Sequence, residues 1–194
     1  WGLGVGCGYL GERVARAWRD VGWAVAAVSR SDIRAVEFCS QGLAPVLADV
    51  THPDSLAALP KSDVVLFAVG RDRERTSQSM REVSLDGLQN VIDVLEDRVD
   101  RFVFVSSTGV YGQADGQWVD EDSATEPSRE NGRVLGDSAS GVRGRFGDRA
   151  RVVGAGGHLK RAERWLRDVG LALRDGAANE LGSMAAEREA AVGG

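Results

Sequence analysis

Three glycines at the head of the chain, in the run Gly6-Cys7-Gly8-Tyr9-Leu10-Gly11, constrain what it can fold into more than any other stretch. They stand between a short apolar run and an amphipathic segment. From Gly11 to Val21 the residues Val14, Ala15, Ala17 and Trp18 fall on one side of a helix, and Glu12, Arg13, Arg16 and Arg19 fall largely on the other. Gly22 follows as a stop signal, and Trp23 to Val28 is apolar enough for a strand. Strand, glycine loop, helix and strand in that order make a βαβ unit. Its loop needs Gly6 for the turn out of the strand, Gly8 for close approach of main chain to a pyrophosphate, and Gly11 for close packing of the helix. The amides of Gly8, Tyr9, Leu10 and Gly11 then face the phosphates at the positive end of the helix dipole. A bare G-x-G-x-x-G also occurs in purely structural turns; the flanking order is what selects the nucleotide reading. Cys7 serves most simply as a small side chain in the loop, with a reactive thiol as the alternative.

Further apolar runs alternate with helical patterns. Strands are expected over Ala24–Val28, Ala44–Leu47, Asp63–Val69, Arg101–Ser107 and, last, Arg151–Val153. The Asp63–Val69 run is almost continuously apolar, as in a strand buried on both faces. A short helix over Asp54–Leu59 has Thr51 or Asp54 as its cap. A long helical stretch from about Thr76 to Leu95 carries Val83, Leu85, Leu88, Val91, Ile92 and Leu95 inward. This alternation predicts an α/β fold, a doubly wound parallel sheet of the Rossmann type with right-handed crossovers. Residues 1–155 would form this domain. Residues 156–194, rich in Arg, Gly and Ala and without Ile or Tyr, would form a helical or weakly ordered tail, with a helix over 158–174, and an incomplete substrate region.

A formal net charge of -5 argues against nucleic-acid binding, which usually requires a basic face. No uncharged apolar run approaches the roughly 20 residues that span a bilayer, so no membrane partner is expected. Two cysteines and two widely separated histidines, His52 and His158, make neither a disulfide framework nor a metal site. A cytoplasmic location suits this balance.

The end of the second strand chooses the cofactor. An acid there hydrogen-bonds the adenine ribose and favours NAD; an arginine neutralises a 2′-phosphate and favours NADP. The chain reads Ser29-Arg30-Ser31-Asp32, which points to NADP through Arg30 with help from Ser29, and leaves NAD open through Asp32. Asp49 and Val50 follow the third strand, where a carboxylate can accept from the adenine amino group. Ala68 and Gly70 end the fourth, where small residues leave room for a cofactor.

Several stretches then agree. The glycine loop, Asp49-Val50, the run from Val83 to Val91, and Ser106-Ser107-Thr108-Gly109-Val110-Tyr111-Gly112 occur in the order found in the extended or atypical short-chain dehydrogenase/reductases, of the nucleotide-sugar epimerase and dehydratase branch, and the chain resembles that family over roughly residues 1 to 135. Val119-Asp120-Glu121 and Glu126-Pro127 match its usual continuation. The resemblance implies hydride transfer between a nicotinamide and a carbonyl or alcohol of a small-molecule substrate. It places Ser107 at the substrate oxygen with Thr108 as second choice, and leaves a homodimer open. It also exposes a departure. The family's Tyr-x-x-x-Lys dyad is absent, since Asn131 stands at the tyrosine position and Leu135 at the lysine position. Tyr111, with Arg129 or Arg133 as the positive charge, is the remaining candidate proton donor. Three readings follow: an oxidoreductase or epimerase-like enzyme, a non-catalytic NADP-binding sensor or interaction module, and an inactive truncated fragment.

Overall fold

Every run read as a strand pairs in parallel with its neighbours. In the computed structural model the described residues are 1–71, 77–113, 118–120 and 123–155. The expectations for 156–194, for Thr76 and for Glu121 lie outside them. The strands are β1 (Gly2–Val5), β2 (Val25–Ser29), β3 (Ala44–Leu47), β4 (Ser62–Phe67), β5 (Val99–Ser107) and β6 (Ala150–Ala155). They form one sheet in the order β3-β2-β1-β4-β5-β6. The chain winds outward from β1 in one direction and then crosses to β4 and winds in the other, which opens a crevice at the carboxyl ends of β1 and β4. Helices α1 (Tyr9–Asp20), α2 (Asp32–Ser40), α3 (Gly87–Leu95) and α4 (Glu130–Phe146) complete the crossovers.

Burial explains why the strands are so apolar. β1 is buried at all four positions and β4 at every position except Asp63. Phe67, Phe102 and Phe104 are each no more than 1% exposed, and Phe102 stacks on Phe146 of α4 with ring centroids 4.8 Å apart. Each such side chain contributes about 1.5–3 kcal/mol of burial, so the aromatic cluster ties the second half of the sheet to α4. In the middle of the sheet α1 lies close enough to β1 that a Cβ on Gly2 would stand 2.6 Å from the Trp18 ring.

Two local expectations are corrected. The stretch before α3 begins as a helix at Met80, because Ser79 and Glu82 form a capping box: the Ser79 amide donates to Glu82 Oε2 at 2.6 Å and the Glu82 amide donates to Ser79 Oγ at 3.1 Å. It then widens into a π-turn over Glu82–Asp86 before α3. The short helix near residue 54 is a 3-10 segment, Pro53–Ala58, that neither Thr51 nor Asp54 caps. The Thr51 hydroxyl is committed to Asp49 Oδ1 at 2.8 Å instead. Helix α4, to which the sequence reading assigned no element, is held to the π-turn by a buried hydroxyl. Ser138 Oγ donates toward the Ser84 carbonyl at 2.9 Å and the Val134 carbonyl at 2.8 Å.

Candidate dinucleotide site

The glycine loop is built by main-chain contact on two sides and left open on the third. Gly6 has φ +89°, and a Cβ there would lie 2.6 Å from the Val69 amide nitrogen, so both its conformation and its neighbours require glycine. The stretch after β4 is drawn to the loop by the Ala68 amide, which donates to the Val5 carbonyl at 2.8 Å. A Cβ on Gly11 would stand 2.4 Å from the Gly6 carbonyl oxygen, which seats α1 directly on the turn. Gly8 differs from both, because a Cβ there would meet nothing within 4 Å. It is the N-cap of α1 and supplies no side-chain cap, so the first-turn amides are left to an outside acceptor. Tyr9 begins that turn half exposed; Arg13 donates to its carbonyl at 2.8 Å and lies 3.6 Å over its ring. Leu10 follows at intermediate burial. The carboxylate of the first turn, Glu12, is neutralised by Arg16 and Arg34. An open main-chain cradle at a positive helix end, with its own acid already paired, fits a diphosphate.

Cys7 is packed inside the loop, as the small-side-chain reading expects. Its thiol is buried, donates to the Gly4 carbonyl at 3.3 Å, and is pushed by burial up to about 12, which leaves it protonated at neutral pH.

The second strand delivers Ser29, Arg30 and Ser31 to the same edge. Ser29 Oγ accepts from the Ser31 amide at 3.1 Å, and Ser31 caps α2 by accepting from the Arg34 amide at 3.5 Å. Arg30 is exposed, with Nη1 3.6 Å from Asp49 Oδ2. Asp49 accepts from both the amide and the hydroxyl of Thr51 at 2.9 and 2.8 Å, and its Oδ2 also lies 3.6 Å from His52 Nδ1. Burial alone would raise the Asp49 carboxyl, but the Thr51 bonds and the nearby Arg30 charge outweigh it and hold it below the ordinary aspartate range. Val50 is buried beneath, and its carbonyl accepts from Asn90 Nδ2 at 2.9 Å. Ala68 and Gly70 lie just past the end of β4, which stops at Phe67, two residues short of the sequence expectation. Beside Asp49 the end of β3 and the start of the α3 region enclose an open polar depression of about 280 Å³ lined by Thr51, His52, Gln78, Glu82, Asp86 and Asn90.

At the end of β5 Ser107 closes the strand. Its Oγ accepts from the Gly109 amide at 3.1 Å, which leaves the hydroxyl hydrogen available to another acceptor. Thr108 is exposed and Tyr111 half-buried, the Tyr111 amide donating to the Thr108 carbonyl at 3.2 Å. The first turn of α4 docks against this turn so closely that a Cβ on Gly132 would lie 2.3 Å from the Gly109 carbonyl oxygen. Asn131 and Leu135 therefore sit on a helix beside the Ser107 turn, with Asn131 exposed and Leu135 half-buried. Arg133 donates to the Pro127 and Ser128 carbonyls, so it secures the entry into α4.

What sequence reasoning passed over is Arg34. Helix α2 brings its guanidinium to the Cys7 carbonyl of the glycine loop at 3.3 Å and between Glu12 and Glu37. The Ser31 cap three residues earlier was the sequence signal that could have placed it.

The residues from the glycine loop into α4, 6–139, match a family model described as NAD(P)H-binding. The chain belongs to that family. A curated relative in Escherichia coli K12, the protein YeeZ, is 30% identical over 139 residues, which is 68% of this chain and 48% of YeeZ. The chain thus spans about half the length of the curated relatives it matches. Among solved structures, a candidate NAD-dependent epimerase/dehydratase from Methylobacillus flagellatus is 27% identical, with a TM-score of 0.63 over 84% of this chain and 58% of its own. A short-chain dehydrogenase/reductase superfamily protein from Agrobacterium tumefaciens, solved with bound NAD, shares the fold at 22% identity, with a TM-score of 0.64 over 78% of this chain and 47% of its own. This NAD(P)H-binding domain therefore has the Rossmann-like fold of the epimerase/dehydratase and short-chain dehydrogenase/reductase proteins. Among its described residues no cluster of His, Cys, Asp and Glu forms a metal site, and no helix is long and apolar enough to cross a membrane.

Proposed function

We propose that the protein binds NADP(H) across the carboxyl edge of its sheet and acts as an oxidoreductase on a carbonyl or alcohol of a small-molecule substrate. The observation that carries this reading is the contrast within the glycine loop. Gly6 and Gly11 are filled by backbone contact, while Gly8 opens on free space above an uncapped helix end. Gly6, Gly8, Tyr9, Leu10 and Gly11 would hold the diphosphate. Arg30 and Ser29 would hold the ribose phosphate, Asp49 and Val50 the adenine, and Ala68 and Gly70 would leave room along β4. The preference for NADP over NAD rests on Arg30 at the strand end, where an NAD site would place an acid. When bound, the coenzyme supplies or accepts hydride. Ser107 would donate its hydroxyl hydrogen to the substrate oxygen and stabilise the charge that develops there. Thr108 is its neighbour in that role, and Tyr111 is the group of this chain that would move the proton. Two unpaired thiols, Cys7 and Cys39, suit a reducing cytoplasmic setting.

A second reading, an NADP-binding sensor or interaction module without turnover, is favoured by one specific observation. Helix α4 carries Asn131 and Leu135 where a titrating tyrosine and a lysine would stand. Calorimetric titration with NADP and NAD tests the shared premise, and no heat at millimolar coenzyme would end both readings. NADPH oxidation with a panel of aldehydes and ketones then separates them. The enzyme reading expects turnover that falls about 100-fold or more in Ser107→Ala with NADP affinity retained. Tight binding with no turnover on any carbonyl would leave the sensor.

A further inference from the structure

Arg34 is the centre of a charge cluster that the coenzyme assignments above leave unused. Its guanidinium stands between three elements. Nη2 donates to the Cys7 carbonyl at 3.3 Å and to Glu12 of α1, and Nη1 bonds Glu37 on its own helix. Its charged end lies 4.8 Å over the Phe38 ring, which is itself buried. The two carboxylates are not equivalent. Glu12 is 17% exposed and is held in addition by Arg16 and by Gln41 Nε2 at 3.2 Å, so its orientation is fixed from three sides. Glu37 is 46% exposed, has Arg34 three residues away on the same helix, and makes the kind of surface ion pair that contributes little. The cluster lies at the corner between the glycine loop and the Ser31 cap. The general rule for doubly wound dinucleotide sites puts the adenine ribose at the end of the second strand, which here runs through Ser29 and Arg30 into the Ser31 cap of α2.

We propose that Arg34 is a specificity-determining residue for the phosphate on the adenine ribose, and that Glu37 is its internal competitor. The Glu12 and Cys7 bonds orient the guanidinium. The outer Glu37 bond holds the place that a dianionic 2′-phosphate takes when NADP binds. A phosphate oxygen pair suits the planar fork of the guanidinium better than a single exposed carboxylate does. NAD, which offers only a hydroxyl there, leaves the Glu37 bond undisturbed. The discrimination is therefore set by an exchange of partners at Arg34 as well as by Arg30, which is nearer to Asp49. This inference rests on the nucleotide-site reading above.

The test is calorimetric titration of the wild-type chain, Glu37→Gln, Arg34→Gln and Arg34→Lys with NADP, NAD and 2′,5′-ADP, each protein first checked by thermal melting. Glu37→Gln is expected to tighten NADP and 2′,5′-ADP about threefold or more and to leave NAD unchanged. Arg34→Gln is expected to weaken NADP about tenfold or more while NAD moves far less, and Arg34→Lys to keep part of the NADP preference. An unchanged NADP-to-NAD ratio in Glu37→Gln overturns the proposal. So does an Arg34→Gln or Arg34→Lys protein that loses both coenzymes in equal proportion, the mark of a purely structural strut. Wild-type protein that binds neither coenzyme overturns the site itself and this inference with it. That failure is visible without any variant, whereas a wrong assignment of Arg34 shows only in the variants.

Discussion

Replacing Gly6 and Gly8 separately with alanine separates scaffold from site. At Gly6 the added Cβ meets backbone on the β4 side, 2.6 Å from the Val69 nitrogen and 2.7 Å from the Ala68 carbonyl carbon, at φ +89°. Backbone cannot swing aside as the end of a side chain can. The positive φ costs about 2 kcal/mol for a residue with a Cβ. Displacing the β4 loop adds about 2 kcal/mol of overpacking strain. Reduced freedom of the unfolded chain returns under about 1 kcal/mol. The net loss is about 3 kcal/mol, or about 10 °C in melting temperature for a chain of this size. At Gly8 the Cβ enters open space, and the sole folded-state penalty is alanine as a poorer N-cap, about 0.5–1 kcal/mol and so within about 3 °C. Coenzyme binding should show the opposite order of severity. Wild-type protein at a coenzyme concentration 100 times its dissociation constant gains about 2.7 kcal/mol, a rise of about 5–10 °C. Gly8→Ala should lose most of that rise, because the methyl stands where main chain would approach the diphosphate. Differential scanning fluorimetry with and without NADP reads both quantities. A Gly8→Ala protein that keeps the full NADP shift would refute the cradle, and a Gly6→Ala protein with an unchanged melting point would refute the packing argument beneath it.

Three further outcomes follow from the same geometry. Arg30→Asp should invert the NADP-to-NAD affinity ratio measured by calorimetry, and an unchanged ratio would take Arg30 out of the phosphate site. Ser138→Ala removes the hydroxyl that bridges α4 to the Ser84 carbonyl; it should cost about 1 kcal/mol, seen as a melting point about 2–4 °C lower, and no change would mean that bond is idle. Glu12 and Asp49 give the acid limb of stability. Burial would raise the Glu12 carboxyl, but the Arg34 bonds outweigh it and hold it below its ordinary range, as the Thr51 bonds do for Asp49. A carboxyl lower in the folded than in the unfolded state stabilises above its unfolded value of about 4, and the stabilisation is lost as pH falls through the folded value. The melting point should therefore drop between about pH 5 and pH 3, and less steeply in Glu12→Gln. Parallel profiles for the two proteins would contradict the Glu12 assignment.

How far the sequence could be read depended on whether a position is governed by backbone or by partners distant in the chain. The run Asp-Val-Val-Leu-Phe-Ala-Val announced β4 because a central parallel strand is buried on both faces, and five of the six residues in the observed strand are. Its end fell at Phe67 because its partner β1 ends at Val5, paired with Phe67, where Gly6 turns away at φ +89°, a tertiary limit invisible in the local pattern. Helix α2 escaped notice for a related reason. Its buried hydrophobic residue is Phe38, whereas Ile33 and Val36 are 73% and 71% exposed, so the apolar periodicity that marks a helix is scrambled. The glycine loop was legible since main chain itself demands glycine at Gly6 and Gly11. Arg34 was not, because its meaning comes from Glu12, 22 residues earlier on another helix.

Helix α4 shows most clearly why chemistry at the β5 edge resists sequence reading. Its buried face is Gly132, Val134, Ser138, Ala139, Val142 and Phe146, and the three small residues among them break up the apolar period that marks a helix. The small residues permit closeness. Gly132 sits against the Gly109 carbonyl, and Ser138 replaces apolar contact with a hydroxyl to Ser84. The helix therefore presses its first turn onto the Ser107 turn through Gly132 and holds the π-turn farther along through Ser138, so the residues beside Ser107 are set by packing geometry. On the enzyme reading proposed above, the group that moves a proton acts within that arrangement, where the Ser107 hydroxyl hydrogen is available and Asn131 cannot titrate. A rate profile for carbonyl reduction that depends on pH through a single ionisation, with that dependence lost in Tyr111→Phe, would assign the proton to Tyr111. A flat profile between about pH 6 and pH 11, with Tyr111→Phe fully active, would instead mean that solvent supplies it and that the chain contributes only the Ser107 hydrogen bond.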